Sequence, residues 1–279
     1  MKNASDLFED LDDYRSYFDS HSLSEISHLN LDINDLSFDK KIIEDQYVTV
    51  DKDNKVALPP ELDDLLRLHF LVTSRKVTTI LEFGVGHSTA VFDHALSINR
   101  KKHEAYCLKH LRRENLFECF SVDSSEEWID HTKNNGDFKN IKFHHSPCSM
   151  GTFESKICTY YDNLPNVTPD LIYIDAPDQY NILGEVRGIS TRSESRLPMS
   201  ADILSIEHFL HPGTLIITDG RTGNARFLKA NFQKNWTHYH STEYDQHFFE
   251  LKEEPLGPYD KKRLEFCLGK DWLIGLEAT

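Results

Sequence analysis

Nowhere in the 279 residues does an apolar run approach the roughly 20 residues needed to cross a bilayer, so no membrane span is expected. The opening Met1-Lys2-Asn3-Ala4-Ser5-Asp6 turns acidic at once and has no apolar core of a secretory signal, which makes a cytoplasmic protein the expectation. Cysteines number five, at positions 107, 119, 148, 158 and 267, an odd set without a Cys-x-x-Cys spacing. That argues against both a disulfide framework and a structural zinc site. Positive charge is also in deficit, with 31 Lys and Arg against 46 Asp and Glu and a net charge of −15. A chain of that sign repels a phosphate backbone, which excludes nucleic acid as the expected partner. The deficit is uneven: residues 1–64 hold 17 acidic and 6 basic side chains, a net of −11. This stretch reads as a solvated surface, with a partner-binding or homodimer-forming role as the alternative.

What the chain does have is enough apolar material for a core, 39 % hydrophobic with 11 % aromatic, so wholesale disorder is excluded. Near the start Leu7, Leu11, Tyr14 and Phe18 recur at helical spacing behind Ser5, a fitting N-cap. Gln46–Val50 and Lys55–Leu58 flank Asp51-Lys52-Asp53-Asn54 and predict a hairpin. Pro59-Pro60 then breaks the chain, which sets an acidic extension over 1–60 apart from a main domain over 61–279. From residue 61 helical and strand patterns alternate. Helices are expected over 61–74, from about 88, over 124–134, over 201–210 and over 224–232. Strands are expected over 77–81, 116–122, 141–145, 170–174 and 213–218, then a strand pair over 237–240 and 247–251. Such alternation predicts a Rossmann-like three-layer α/β sandwich with a mostly parallel seven-stranded sheet and an antiparallel C-terminal hairpin.

The sharpest local signal is Glu82-Phe83-Gly84-Val85-Gly86-His87-Ser88-Thr89, a strand end running through two glycines into a helix. Glycines there let the backbone turn tightly and let a ligand approach it, while the helix start offers free N–H groups to an anion. A dinucleotide fingerprint wants Gly or Ala at the sixth position of Gly-x-Gly-x-x-Gly, and that position is Thr89. Nor has such a fingerprint a use for an acid two residues before the first glycine, where Glu82 sits. Acids also close the second strand (Asp123), the fourth (Asp175) and the fifth (Asp219).

Glu82-Phe83-Gly84-Val85-Gly86 resembles motif I of class I methyltransferases that use S-adenosylmethionine, and the alternating elements over about 61–251 resemble theirs, with small-molecule O-methyltransferases nearest in layout. The resemblance implies a cofactor loop made by Glu82, Gly84, Gly86, His87, Ser88 and Thr89, around the methionine end of S-adenosylmethionine. It implies Asp123, with Ser124 beside it, at the ribose hydroxyls, Ser146 and Cys148 at the adenine, and Asp175 near the transferred methyl. Glu82 and Asp123 stand 41 residues apart, against about 20 for the comparable gap in dinucleotide folds. The basic segment from Arg100 to Arg113 is read as the insertion that makes the difference.

Asp175 and Asp219 fall at strand ends, where open α/β sheets hold their ligands, and are the candidate catalytic acids. In catechol-type O-methyltransferases two such carboxylates share a divalent metal and the second is followed by Asn. Gly220 follows here, which weakens the case for a metal at Asp175 and Asp219; an N-cap is the plain alternative for Asp219. The connection over 176–200 is the longest in the domain and carries Asp178, Tyr180, Arg187, Arg192 and Arg196, with Arg221 beyond it. Long loops of this kind often bind substrate, and arginines suit a carboxylate or phosphate on a small acceptor. Pairing with the protein's own acidic surface is the alternative for these arginines. Two other functions stay open: an NAD-linked oxidoreductase on the same glycine turn, and a non-catalytic module that interacts through its acidic extension.

Overall fold

The computed structural model describes residues 11–26, 29 and 62–277. The predicted hairpin over 46–58, the Pro59-Pro60 break and the start of the first helix lie outside the described residues. Helix α1 (Leu11–Ser20) precedes α2 (Leu62–Ser74), β1 (Thr79–Phe83), α3 (His87–His110), β2 (Glu118–Asp123), α4 (Glu126–Asn135) and β3 (Ile141–His145). Then follow β4 (Cys148–Phe153), β5 (Lys156–Tyr161), β6 (Leu171–Ile174), α5 (Asp202–Ile206), β7 (Leu215–Asp219) and α6 (Thr222–Asn231). The chain continues through β8 (Trp236–Ser241), β9 (Gln246–Leu251), α7 (Pro258–Leu268) and α8 (Lys270–Glu277).

Seven strands form one sheet in the order β3-β2-β1-β6-β7-β9-β8. The first five run parallel and β9 joins β7 antiparallel, as the sequence pattern predicts. Alternation along each strand feeds two cores. Leu81, Phe83, Ile172, Ile174 and Ile216 face the side of β4, β5, α5 and α6. Ile80, Leu171, Tyr173, Leu215 and Ile217 face α2 and α3. Burial on both faces is why the central strands read as nearly continuous apolar runs. A third cluster seats Tyr14, Phe18, Leu23 and Ile26 against Leu62, Leu65 and Leu66 of α2 and Ala90 and Val91 of α3.

Three elements were not foreseen. The β4–β5 hairpin forms a separate two-stranded sheet between β3 and β6, and α7 and α8 close the chain beyond the last predicted strand. The segment from Arg100 is helical up to His110: α3 is one helix of 24 residues, and its length takes up much of the distance between Glu82 and Asp123.

Charge is concentrated at the amino ends of the parallel strands. Asp170 accepts hydrogen bonds from the Thr78 backbone N–H (3.0 Å) and hydroxyl (2.6 Å), and pairs with Arg113 and with Arg263 of α7, each at 3.1 Å. Although burial pushes its pKa up, the two guanidiniums and the donors win and hold it down at about 2. Alongside, Arg75 of the α2–β1 turn pairs with buried Glu250 of β9 at 2.8 Å.

Candidate cofactor and active site

The strand order reverses between β1 and β6, and at such a switch point the carboxyl ends of the strands leave a crevice. Gly84 begins the turn out of β1 with φ +104°, and a Cβ there would come within 3.1 Å of Ala176 Cβ and 3.2 Å of the Asp175 carbonyl. Only glycine permits both the left-handed backbone and this contact with the tip of β6. Gly86 differs. Its φ of −179° is open to any residue, and a Cβ there would meet nothing within 4 Å.

Beneath the turn Glu82 is fully buried. Its carboxyl group accepts hydrogen bonds from the hydroxyls of Ser88 (2.6 Å), Thr89 (2.8 Å) and Ser121 (2.5 Å). Burial outweighs these donors and raises its pKa to about 7. The Thr89 hydroxyl passes the connection on by accepting from the Gly86 N–H at 3.0 Å. Glu82 therefore works from below, through Ser88 and Thr89, while half-buried His87 stands at the first position of α3.

Asp123 ends β2 beside the same turn. One of its oxygens accepts from the Val85 N–H (3.0 Å) and the other from the Ser125 N–H (2.8 Å), with Ser124 half-buried between. The Ser124 N–H is a third backbone donor to this carboxylate, which offers about four acceptor positions, so room remains for a ligand's hydroxyl. Its pKa is raised, by burial first. The Trp128 indole N–H of α4 completes the frame by donating to the Val85 carbonyl at 2.5 Å. Ser146 lies below the adjoining edge: its N–H donates to the Asp123 carbonyl (3.0 Å) and its buried hydroxyl accepts from the Asn163 N–H (2.9 Å). Cys148 is packed in the core with Phe83 and Val122, its thiol pushed up to about 12 by burial.

Across the switch point, Asp175 is exposed at the tip of β6, and Arg221 grips that tip. Its guanidinium donates to the carbonyls of Asp175 (2.5 Å) and Pro177 (3.1 Å) and lies 3.5 Å from the Asp175 carboxylate. Arg221 is thus committed to shaping the tip. The expected alternative for Asp219 as an N-cap is corrected: Arg221 occupies the N-cap of α6 without a side-chain cap. Asp219 instead accepts a hydrogen bond from buried Tyr173 at 2.8 Å. Among the described residues no three His, Cys, Asp or Glu side chains converge as a metal-binding set. Two carboxylates, one of them already beside a guanidinium, fall short of the several oxygens a hard cation takes.

The 176–200 connection is sewn to both edges of the β4–β5 hairpin. Leu183 exchanges backbone hydrogen bonds with Cys148 and Met150, and Thr159 bonds the backbone of Met199 and Ala201. Asp178 accepts from the Tyr180 N–H at 2.6 Å, a local turn. Arg187, Arg192 and Arg196 are exposed, and Arg196 donates to the Ser190 carbonyl at 3.0 Å. Among the described residues none of the three has an ion-pair partner. Ser121, Trp128 and Tyr173 escaped the sequence reading. The available signal was polar residues inside apolar strands: Ser121 and Tyr173 are the register partners of Glu82 on either side.

No protein-family model and no curated protein matches the chain. Among solved structures it is similar to an S-adenosylhomocysteine-bound methyltransferase, PaMTH1 of Podospora anserina, at 13 % identity and TM-score 0.43, over 76 % of this chain and 86 % of that one. It is also similar to the S-adenosylmethionine-bound O-methyltransferase TomG of Streptomyces achromogenes, involved in tomaymycin synthesis, at 12 % identity and TM-score 0.34, over 70 % and 81 %. A third similarity is to an O-methyltransferase of Bacillus cereus in complex with S-adenosylhomocysteine, at 14 % identity and TM-score 0.33, over 85 % of this chain and 90 % of that one.

Proposed function

We propose that this chain is a methyltransferase that binds S-adenosylmethionine over the tips of β1 and β2 and methylates an oxygen of a small, sugar-like or anionic acceptor. The observation that carries this reading is the pairing of a braced turn with a bare one. Glu82, Thr89, Asp123 and Trp128 fix the 84–89 loop, while Gly86 leaves open space that neither its backbone angle nor its packing requires. A ligand lying against Gly86 supplies the reason. The helix start at His87 and Ser88 suits the carboxylate of the methionine moiety, and Asp123 suits vicinal hydroxyls.

The sulfonium supplies an already activated methyl group, so the chain's task is alignment and removal of a proton. Asp175 and Asp219 are the acids at the tips that can take a proton from an acceptor hydroxyl, and Arg221 and Tyr173 hold them in place. The exposed guanidiniums of Arg187, Arg192 and Arg196, with Asp178 and Tyr180 at the root of the loop, are the proposed acceptor contacts.

Calorimetry with S-adenosylmethionine, S-adenosylhomocysteine and NAD tests the cofactor: binding of the first two and not the third is expected. A panel of hydroxyl-bearing sugars and organic acids, read by mass spectrometry for a gained methyl, then tests the acceptor. Asp175→Asn should lower turnover more than it lowers cofactor affinity; equal losses would reduce Asp175 to a support of the pocket.

A further inference from the structure

Where α1 meets the domain, beside the buried hydrogen bond from Arg67 of α2 to the Tyr14 hydroxyl (3.1 Å), four polar side chains from three helices form one continuous hydrogen-bonded chain. The Tyr17 hydroxyl of α1 lies 2.7 Å from His69 Nδ1 and 3.0 Å from Thr73 Oγ1, both on α2. His69 Nε2 lies 3.0 Å from His94 Nδ1 on α3. His69 has no exposed surface. The direction of the chain follows from its far end. Thr73 turns its hydroxyl proton back to the carbonyls of His69 (3.0 Å) and Phe70 (3.2 Å), so it accepts from Tyr17. The Tyr17 oxygen then accepts from His69 Nδ1–H, which leaves His69 Nε2 to accept from His94 Nδ1–H. In this order both ring nitrogens of His69 are engaged, one as donor and one as acceptor, and His69 is neutral.

Such a row tolerates few protons. His94 can take one on its outer nitrogen without disturbing the order, and Glu25 and Asp93 nearby favour that. A further proton on His69 would place two N–H groups face to face across 3.0 Å at a ring with no exposed surface, a buried unsatisfied arrangement. The remaining neighbours do not relieve it. His21, stacked on the Tyr17 ring at 4.0 Å, and Lys102 of α3 both oppose a charge on His69. Burial acts in the same direction on both His69 and His94.

We propose that the His94–His69–Tyr17–Thr73 row is an acid-released latch that holds the N-terminal helix on the domain above about pH 6.5 and lets it go below. The undocked histidines take up protons near their ordinary pKa, about 6.5, whereas the docked pair refuses the second. Docking is therefore at full strength at neutral pH and weakens as pH falls, by about tenfold per pH unit for each proton refused. Release strips Tyr14, Phe18, Leu23 and Ile26 from Ala90 and Val91, the turn of α3 that follows Ser88 and Thr89. The latch stands on its own geometry and does not depend on what the crevice binds.

Hydrogen exchange on the full chain, corrected for the intrinsic pH dependence of exchange, reads the latch directly. Between pH 7.5 and 5.5 the α1 amides should lose at least about tenfold in protection while those of β1 and β6 keep theirs. Constant α1 protection, or an equal loss in the sheet, overturns the proposal. Tyr17→Phe removes the phenolic oxygen, and should leave α1 weakly protected at pH 7.5 with little further change on acidification. Wild-type protection in that variant counts against the latch. Nitrogen NMR of the wild-type histidines serves even if the variant fails to fold. His69 must remain neutral as long as α1 is protected, and a charged His69 beneath a docked α1 refutes the latch.

Discussion

At Glu82 the chain keeps a carboxyl group where no water reaches, and three hydroxyls only partly offset the cost. Its folded pKa of about 7 lies above the ordinary value of 4.5, so the sign of its effect on stability is set. Below pH 4.5 the group is protonated in both states and costs nothing. As pH rises toward 7 the unfolded chain ionises first and stability falls, by about 3 kcal/mol in all. Glu82→Gln removes the ionisation, so its midpoint of urea unfolding should fall less than that of the wild type between pH 4.5 and 7. Parallel curves would show that Glu82 ionises as freely in the folded protein as outside it. Asp123→Ala strips the Val85 N–H of its acceptor and a nucleoside of its proposed one. S-adenosylmethionine affinity should drop by about 1–3 kcal/mol, roughly 5- to 150-fold, in calorimetry. Unchanged affinity would remove Asp123 from the site. Of these residues the sequence displayed the acids and glycines plainly, because each punctuates an apolar strand. Ser121 and Tyr173 stayed hidden because their partners are on neighbouring strands, and register is not written in a local pattern.

Elements were legible where burial imposes a period. The parallel strands and the final hairpin strands follow their apolar residues to within a few positions, as α2 does its leucines. The β4–β5 hairpin was not legible, since Gly151 sits mid-strand and Thr152-Phe153 break the alternation begun by Cys148-Ser149-Met150. The far half of α3 was not legible because between Lys101 and His110 only Cys107 is buried, so no apolar period marks it as helix. Between elements Asp170 joins the start of β1, the α3–β2 connection and α7. Its depressed pKa supplies stability above the ordinary 3.8 that disappears as pH falls toward 2, about 2 kcal/mol in total. Asp170→Asn leaves two buried guanidiniums short of a counter-charge and should cost about 3–5 kcal/mol in urea unfolding at pH 7. A loss below 1 kcal/mol would mean that Arg113 and Arg263 find other partners. Because Asp170 is at the far end of the strands from Gly86, the folded variant should retain cofactor affinity.

The whole molecule divides its polar residues between the two ends of one sheet. At the amino ends of the parallel strands acids and arginines are paired and buried, and serve the fold. At the carboxyl ends the acids brace a loop or remain accessible at the tips, an arrangement that suits the proposed ligand. The central claim is that the open space at Gly86 belongs to S-adenosylmethionine. Gly86→Val tests it most directly, since an extended backbone accepts valine and its side chain would meet no protein atom at the Cβ position. Calorimetric titration of wild type and variant with S-adenosylmethionine, beside thermal unfolding of both, is the measurement. The account predicts an unchanged melting temperature and at least about a tenfold weaker affinity, equivalent to 1.4 kcal/mol. Equal affinity in a folded variant, or a wild type that ignores the ligand at millimolar concentration, would contradict it.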